Sequence, residues 1–240
     1  MAEKQIGVAK KVAISVGVLL AAIALIVGGY VAYVMLSYYR LDDSISIEAD
    51  APKDPAAELN YWIDLASDDG SSPELTIVAS NLGFGAYGPD FDFFMDGGSG
   101  SVAKSAQYVE DNIKGTAKAI KELDPDFLMF QEVDVAGTRS HDVNEYELLR
   151  TEFSGDDSVF IQNYDSPYLA WPPYAPHGAN KAGLATFSDC LIVDTTRRSL
   201  PISEGFSKFL DLDRCYSISR IPTSSGADLV LFNVHLSAYG

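Results

Sequence analysis

The sequence predicts an α/β protein with mixed or antiparallel sheets, carried behind one membrane-crossing helix. Three observations lead there. An uncharged apolar stretch fills the N-terminus, helix-period segments alternate with strand-length apolar runs in the middle, and the later runs follow one another with only turns and loops between. With 240 residues, 47% hydrophobic and 11% aromatic, the chain has ample material for a core.

Val12 to Tyr39 contains no Asp, Glu, Lys, Arg or His, and Val12–Leu36 is almost wholly apolar. Roughly 20 apolar helical residues cross a bilayer. A cleaved secretory signal also begins with basic residues, but its apolar region is only about 7–15 residues long. Here the run is longer and exits through Tyr30, Tyr33, Tyr38 and Tyr39, which suit a membrane interface. A retained anchor is the reading adopted. Lys4, Lys10 and Lys11 precede the span, while Asp42 and Asp43 follow Arg40 at once, so the positive-inside bias places the N-terminus in the cytoplasm. Residues 1–11 are therefore read as a cytoplasmic tail, 12–39 as a transmembrane signal anchor, 40–73 as an acidic spacer and 74–240 as an extracellular folded domain.

Setting aside Glu3, Lys4, Lys10, Lys11 and Arg40 leaves 33 acidic against 13 basic residues, a net charge of −20 on the external part. Such a surface repels polyanions and argues against a tight, nonspecific nucleic-acid binder. Cys190 and Cys215 lie in an oxidising compartment on this topology, where one disulfide and two buried thiols are both open.

The spacer, with Pro52, Pro55 and SDDGSSP, holds one apolar cluster, Tyr61-Trp62-Ile63. ELTIVAS (74–80) is a strand-length apolar run ending at Asn81 and a Gly-rich turn, GFGAYGPD. From Ser101 to Leu123, apolar residues at Val102, Ala106, Val109, Ile113, Ala117 and Ile120 share one helical face. That helix stops before Asp124-Pro125. DFLMF (126–130) is a second buried strand running into Gln131-Glu132. Asp142 to Phe153 reads as a helix with Asp142 and Glu145 spaced as a capping box. A loop rich in Pro, Tyr and Asn (162–181) precedes strands near GLATFS (183–188), CLIVD (190–194), CYSISRI (215–221) and DLVLFNV (228–234).

Three strands share one design, an apolar body followed by a polar residue where the strand emerges: TIVAS-Asn81, FLMF-Gln131-Glu132 and LVLF-Asn233-Val234-His235. Emerging on one edge, they bring together an amide, a carboxylate and an imidazole. Mg²⁺ prefers oxygen ligands and keeps several waters, so such a set suits it. His235 is then left to donate to a phosphate. A glutamate at a strand end is equally an ordinary solvated charge, and spacing alone leaves both readings open.

Taken in order, SNLGFGAYGPDFDFFMDGG, DPDFLMFQEVD, KAGLATFS, RRSLPISEGFSKFLDLDRCYSISRIP and LVLFNVHLSAYG resemble the endonuclease/exonuclease/phosphatase superfamily over 74–240. This is the superfamily of pancreatic deoxyribonuclease, neutral sphingomyelinases and inositol polyphosphate 5-phosphatases. The resemblance implies a two-sheet, mainly antiparallel β-sandwich flanked by helices in four layers, and Mg²⁺-dependent (or Mn²⁺- or Ca²⁺-dependent) cleavage of phosphate esters. By position it makes Glu132 and Asn81 metal ligands, and His235 with Asn233 catalytic. It places Arg214, Tyr174, His177 and Asn180 among the substrate contacts. Arg214 is alternatively paired with Asp211 and Asp213, and His177 and His141 are alternatively solvated loop residues.

The family continues past this strand with GDFN-like and SDH-like motifs that the sequence to Gly240 does not contain. The expectation is an N-terminal portion of such a domain, inactive alone and paired with a missing C-terminal half. The implied partners are the membrane, through Val12–Leu36, and a phosphate-ester substrate: a lipid headgroup or small phosphoester ahead of a nucleic acid. A noncatalytic surface module on the same scaffold is the alternative.

Overall fold

The computed structural model describes residues 2–65, 73–202 and 213–236. It divides into two units, Met1–Tyr39 and Arg40–Gly240. The first is one helix, α1 (Ala2–Ser37). Within it Gly7–Ser37 is 31 residues long and apolar enough to cross a membrane.

The second unit holds two four-stranded sheets. In chain order its elements are β1 (Ile45–Ser46), β2 (Ile77–Asn81), α2 (Ala106–Lys121), β3 (Phe127–Gly137), α3 (Glu145–Glu152), β4 (Asp157–Asp165), β5 (Asn180–Ser188), β6 (Asp194–Ser199), β7 (Cys215–Pro222) and β8 (Asp228–Val234). The first sheet has the order β2-β3-β5-β4 and the second β1-β6-β7-β8. Only β2 and β3 run parallel; every other ladder is antiparallel. A mainly antiparallel two-sheet α/β fold is what the sequence predicts.

The layers follow from which faces are apolar. Helix α2 starts where the Ser105 hydroxyl accepts from the Tyr108 N–H, and it buries Val109, Ile113, Ala117 and Ile120. These pack with Tyr146 and Leu149 of α3 against Leu128, Phe130, Val133, Ala185 and Phe187 on the outer face of the first sheet. The other face of that sheet, with Phe127, Val159, Ile161 and Leu184, packs against Cys215, Ile221 and Leu231 of the second. Among the described residues this makes three layers. No described helix lies over the outer face of the second sheet, where Phe232 and Val234 are exposed.

The stretch expected to be a spacer is, over residues 40–65, part of the domain. Asp43 bonds Arg198 through both carboxylate oxygens (3.0 and 3.2 Å) and accepts from the Ser199 N–H. Strand β1 adds an edge to β6, and Asp50 forms a bridge to Ser158 in β4. Lys53 then reaches Glu147 of α3, Asn60 pairs with Cys190 and Ile63 with Thr223. The segment thus ties both sheets and a helix together, the sheets by backbone hydrogen bonds and the helix through the Lys53 side chain, which its polar composition conceals. Cys190 and Cys215 are both buried free thiols, and burial pushes their pKa values up to about 12 and about 11.

Candidate functional site

Four residues from both sheets meet at one end of the sandwich. Asn81 ends β2, and the parallel register pairs it with Gln131, so Glu132 emerges beside it. The β3–β5 register slips between Phe130 and Val133, and within that bulge Glu132 adopts φ 55°. A non-glycine residue in the left-handed region costs on the order of 1 kcal/mol or more, and bulges of this kind re-aim side chains. Here the strained residue is the carboxylate itself. His235 follows β8 and Arg214 precedes β7.

Their side chains form one chain of hydrogen bonds. Asn81 Nδ2 donates to Glu132 Oε1 (3.0 Å), and Asn81 Oδ1 accepts from the Gly83 N–H (2.9 Å). His235 Nε2 lies 3.3 Å from the same Glu132 oxygen, and Arg214 Nη1 lies 2.9 Å from His235 Nδ1. A guanidinium can only donate, so Nδ1 accepts and the neutral ring carries its proton on Nε2, facing Glu132. Burial alone raises the Glu132 pKa. The bonds from His235 and Asn81, with the field of Arg139, outweigh it and bring the group to about 2. The carboxylate is therefore ionised at neutral pH while its side chain stays 27% exposed.

Behind Glu132 lies a buried support. Arg139 Nη2 bonds Asp134 Oδ1 (2.6 Å), and its guanidinium sits between the Phe84 and Tyr164 rings at 4.4 and 5.1 Å. Burial lowers the Arg139 pKa, but the Asp134 carboxylate outweighs it and keeps the group above its ordinary value. Glu145, fully buried, accepts the Asp134 N–H through Oε2. Burial, reinforced by the Asp134 charge, raises its pKa well above the usual range. Sequence reasoning missed this trio. The segment from Glu132 to Glu152 carries other charged residues as well, Asp142, Glu147 and Arg150 among them, so nothing in its pattern singles these three out.

The other expected residues fall into different surroundings. Asn233 is 1% exposed and spent on structure. Its Nδ2 donates to Phe130 O (3.2 Å) and Ala185 O (3.0 Å), and its Oδ1 accepts from Gln131 Nε2 (2.8 Å). It pins the second sheet to the first, which makes it a positioning group where a catalytic one was expected. Asn180 is likewise committed, accepting from the Arg139 N–H and donating to His177 O. His177 is no solvated loop residue. It is buried among Phe84, Phe93 and Phe94, bonds Ser101 O, and has its pKa lowered to about 4, by burial first and then by the Arg139 charge. Tyr174 is exposed, its hydroxyl donating to Ser99 O. His141 is exposed with its ring against Ala103 O. Arg214 turns to His235, while Asp213 accepts from the Leu41 N–H. Asp211, with the rest of 203–212 and 237–240, lies outside the described residues.

Among the described residues no group of three or more His, Cys, Asp or Glu side chains could hold a metal ion. The donors at the site are one carboxylate and one amide oxygen. Glu132 Oε2 makes no protein hydrogen bond among the described residues, and Asn81 Oδ1 keeps a second lone pair. That sparse oxygen set fits Mg²⁺, which binds through one or two carboxylates and retains waters.

No family model and no curated protein matches the chain. Solved structures are similar to it, two of them as follows. The crystal structure of an endonuclease/exonuclease/phosphatase from Beutenbergia cavernae is 18% identical with a TM-score of 0.45, the match covering 69% of this chain and 39% of that one. An endonuclease/exonuclease/phosphatase family protein from Leptotrichia buccalis is 14% identical with a TM-score of 0.42, covering 68% of this chain and 55% of that one. The chain therefore spans 39% and 55% of the lengths of these two proteins.

Proposed function

We propose that the chain carries a divalent-cation-dependent site for phosphate esters on a domain held outside the cytoplasm by a single membrane helix. The observation that supports this most directly is that Asn81 and His235 meet at one Glu132 oxygen with Arg214 bonded to the far side of the His235 ring, four side chains from four separate segments in one hydrogen-bonded chain. Arg214 stands at the site in a domain whose net charge is strongly negative, which favours an anionic ligand there and little elsewhere. The motif resemblance described above points the same way.

Glu132 and Asn81 hold the cation, Mg²⁺ or alternatively Mn²⁺ or Ca²⁺. When bound, it supplies Lewis-acid polarisation of a phosphoryl oxygen. Arg214 fixes the His235 ring, so its Nε2–H donates to Glu132 in the free site and to a phosphoryl oxygen when an ester enters. Glu132 carries two donors on Oε1 and gives Oε2 to the cation, and His235 Nδ1 is taken by Arg214, so neither serves as the base. These residues bind and orient the ester, and activating water falls to another group. We therefore expect this chain alone to bind without appreciable turnover. The net charge of −20 favours a lipid headgroup or small phosphoester over a nucleic acid.

The test is calorimetric titration of the full chain in phospholipid nanodiscs, with Mg²⁺ and then with inorganic phosphate. We expect Glu132→Gln to weaken Mg²⁺ binding about tenfold or more, some 1.4 kcal/mol, and His235→Ala to weaken only the Mg²⁺-dependent phosphate step. Equal Mg²⁺ affinity in wild type and Glu132→Gln overturns the reading. Turnover of a chromogenic phosphodiester by the wild type overturns the division between binding and water activation. Cysteine-labelling accessibility on intact cells tests the sidedness set by Lys4, Lys10 and Lys11.

A further inference from the structure

Between β4 and β5 the chain forms a hairpin over 166–180 whose chemistry the phosphate-ester reading does not use. Its base is closed by Ser166 N–H to Asn180 O (2.9 Å) and by reciprocal Leu169–Gly178 backbone bonds (both 3.0 Å). Higher up, His177 N–H donates to Trp171 O (3.2 Å) and Ala175 N–H to Pro172 O (3.1 Å). From the side, Ser101 Oγ donates to Ala175 O (2.6 Å), and buried His177 is wedged among Phe84, Phe93 and Phe94. Four prolines, Pro167, Pro172, Pro173 and Pro176, stiffen it further.

This rigid framework holds its largest apolar side chains outward. Trp171 is 67% exposed and Tyr174 69% exposed at the tip, with Tyr168 also exposed below them. A mobile loop could fold such rings back onto the surface; this one is built to keep them out. No Asp, Glu, Lys or Arg occurs from Ser166 to Asn180, although the chain is 21% charged. An uncharged tip bearing Trp and Tyr matches the membrane–water interface, where these amphipathic rings partition and a carboxylate is costly. The chain already carries a helix long and apolar enough to cross a membrane, and its negative charge opposes a polyanionic partner. The hairpin also leaves the first sheet at the end where Asn81 and Glu132 emerge, since Asn180 pairs with Gly137 at the C-terminal end of β3.

We propose that the Trp171–Tyr174 tip is a lipid-contact element that inserts its rings into the headgroup region of a zwitterionic phospholipid bilayer. The inference stands on the hairpin and does not require the phosphate-ester site to be functional. The chain contains two tryptophans, Trp62 and Trp171, both exposed, which supplies the probe and its control. The full chain is reconstituted in phosphatidylcholine nanodiscs as the single variants Trp62→Phe and Trp171→Phe, with and without brominated lipid. In Trp62→Phe, the Trp171 emission should lie to the blue of its position in aqueous solution and lose most of its intensity to brominated lipid. In Trp171→Phe, the Trp62 emission should be water-like and unquenched. Water-like, unquenched Trp171 emission overturns the proposal. So does equal quenching of both residues, which would report mere tethering, or quenching of Trp171 by a single-stranded oligonucleotide with none by lipid. If Trp62→Phe fails to fold, the difference between wild type and Trp171→Phe reads the same signal.

Discussion

Replacing Asn233 with alanine removes the main polar tie between the two sheets. Four partners lose their bond: Phe130 O, Ala185 O, Thr186 Oγ1 and the half-buried Gln131 Nε2. Gln131 keeps its bond to Met129 O, so the carbonyls carry most of the cost. At about 1–3 kcal/mol for each buried group left unsatisfied, the loss should total about 3–5 kcal/mol. That is a large share of the roughly 5–15 kcal/mol by which domains of this size are stable. Asn233→Asp is the sharper variant, because it keeps the shape but points a carboxylate oxygen at two carbonyls. It should be at least as destabilising as alanine at pH 8 and recover part of the loss at pH 4, where a protonated carboxyl donates again. Urea unfolding of the full chain in nanodiscs, followed by intrinsic fluorescence, measures both through the midpoint at constant slope. A loss below about 1 kcal/mol for the alanine variant, or wild-type stability of the aspartate variant at pH 8, would refute the assignment of Asn233 as the tie between sheets.

Three further outcomes are expected. The folded-state pKa of His177, about 4, lies below the ordinary 6.5, so the unfolded chain binds more protons between them. Stability should be complete above that window and fall as pH drops through it, and His177→Gln should flatten the urea midpoint between pH 7 and pH 4.5. Asp156 is shifted the other way, to about 7, by burial and then by the Asp189 charge, so its ionisation costs stability as pH rises from about 4 to 7. Asp156→Asn should raise the melting temperature at pH 8 and leave it unchanged at pH 4. Gly183→Ala should lower the melting temperature sharply, because a Cβ there meets the Ile161 carbonyl oxygen and the Phe160 ring. Such overpacking costs about 1–3 kcal/mol or more, and a wild-type melt would contradict the close approach of β4 and β5.

Elements with one dominant period were legible in the sequence. The face formed by Val109, Ile113, Ala117 and Ile120 announced α2, and the runs ending in Asn81 and Asn233 announced β2 and β8. Strand β3 runs past the predicted end at Phe130 to Gly137, because its polar stretch pairs with β5 through a bulge that hydrophobic patterning does not register. Strand β4 is not among the predicted elements, and its last four residues fall in the expected loop 162–181, although Val159, Ile161 and Asn163 alternate inward over Asp157–Asp165. The CLIVD run is buried at Cys190 and Ile192 but mostly irregular, and the strand begins only at Asp194. The capping box at Asp142 fails because His141 and Asp142 both take positive φ, and Asn144 caps α3 through the Glu147 N–H. At the site, Asn81, Glu132 and His235 were readable as polar residues at strand ends. The saturated environments of Asn233, Asn180 and His177 were not, since they depend on which carbonyls the bulge and hairpin leave unpaired.

The stitching of residues 40–65 across both sheets limits where the domain can be cut from the helix that precedes it. A protease cutting ahead of Arg40 leaves the Asp43 clasp, the β1 edge and the Asp50 bridge intact on the released product. One cutting a few residues later strips an edge strand and uncovers backbone on β6. Separating the helix from the domain without loss of the fold needs a cut in the short stretch between Ser37 and Arg40, and a truncation series should show the yield of folded domain collapsing as the start point moves past it.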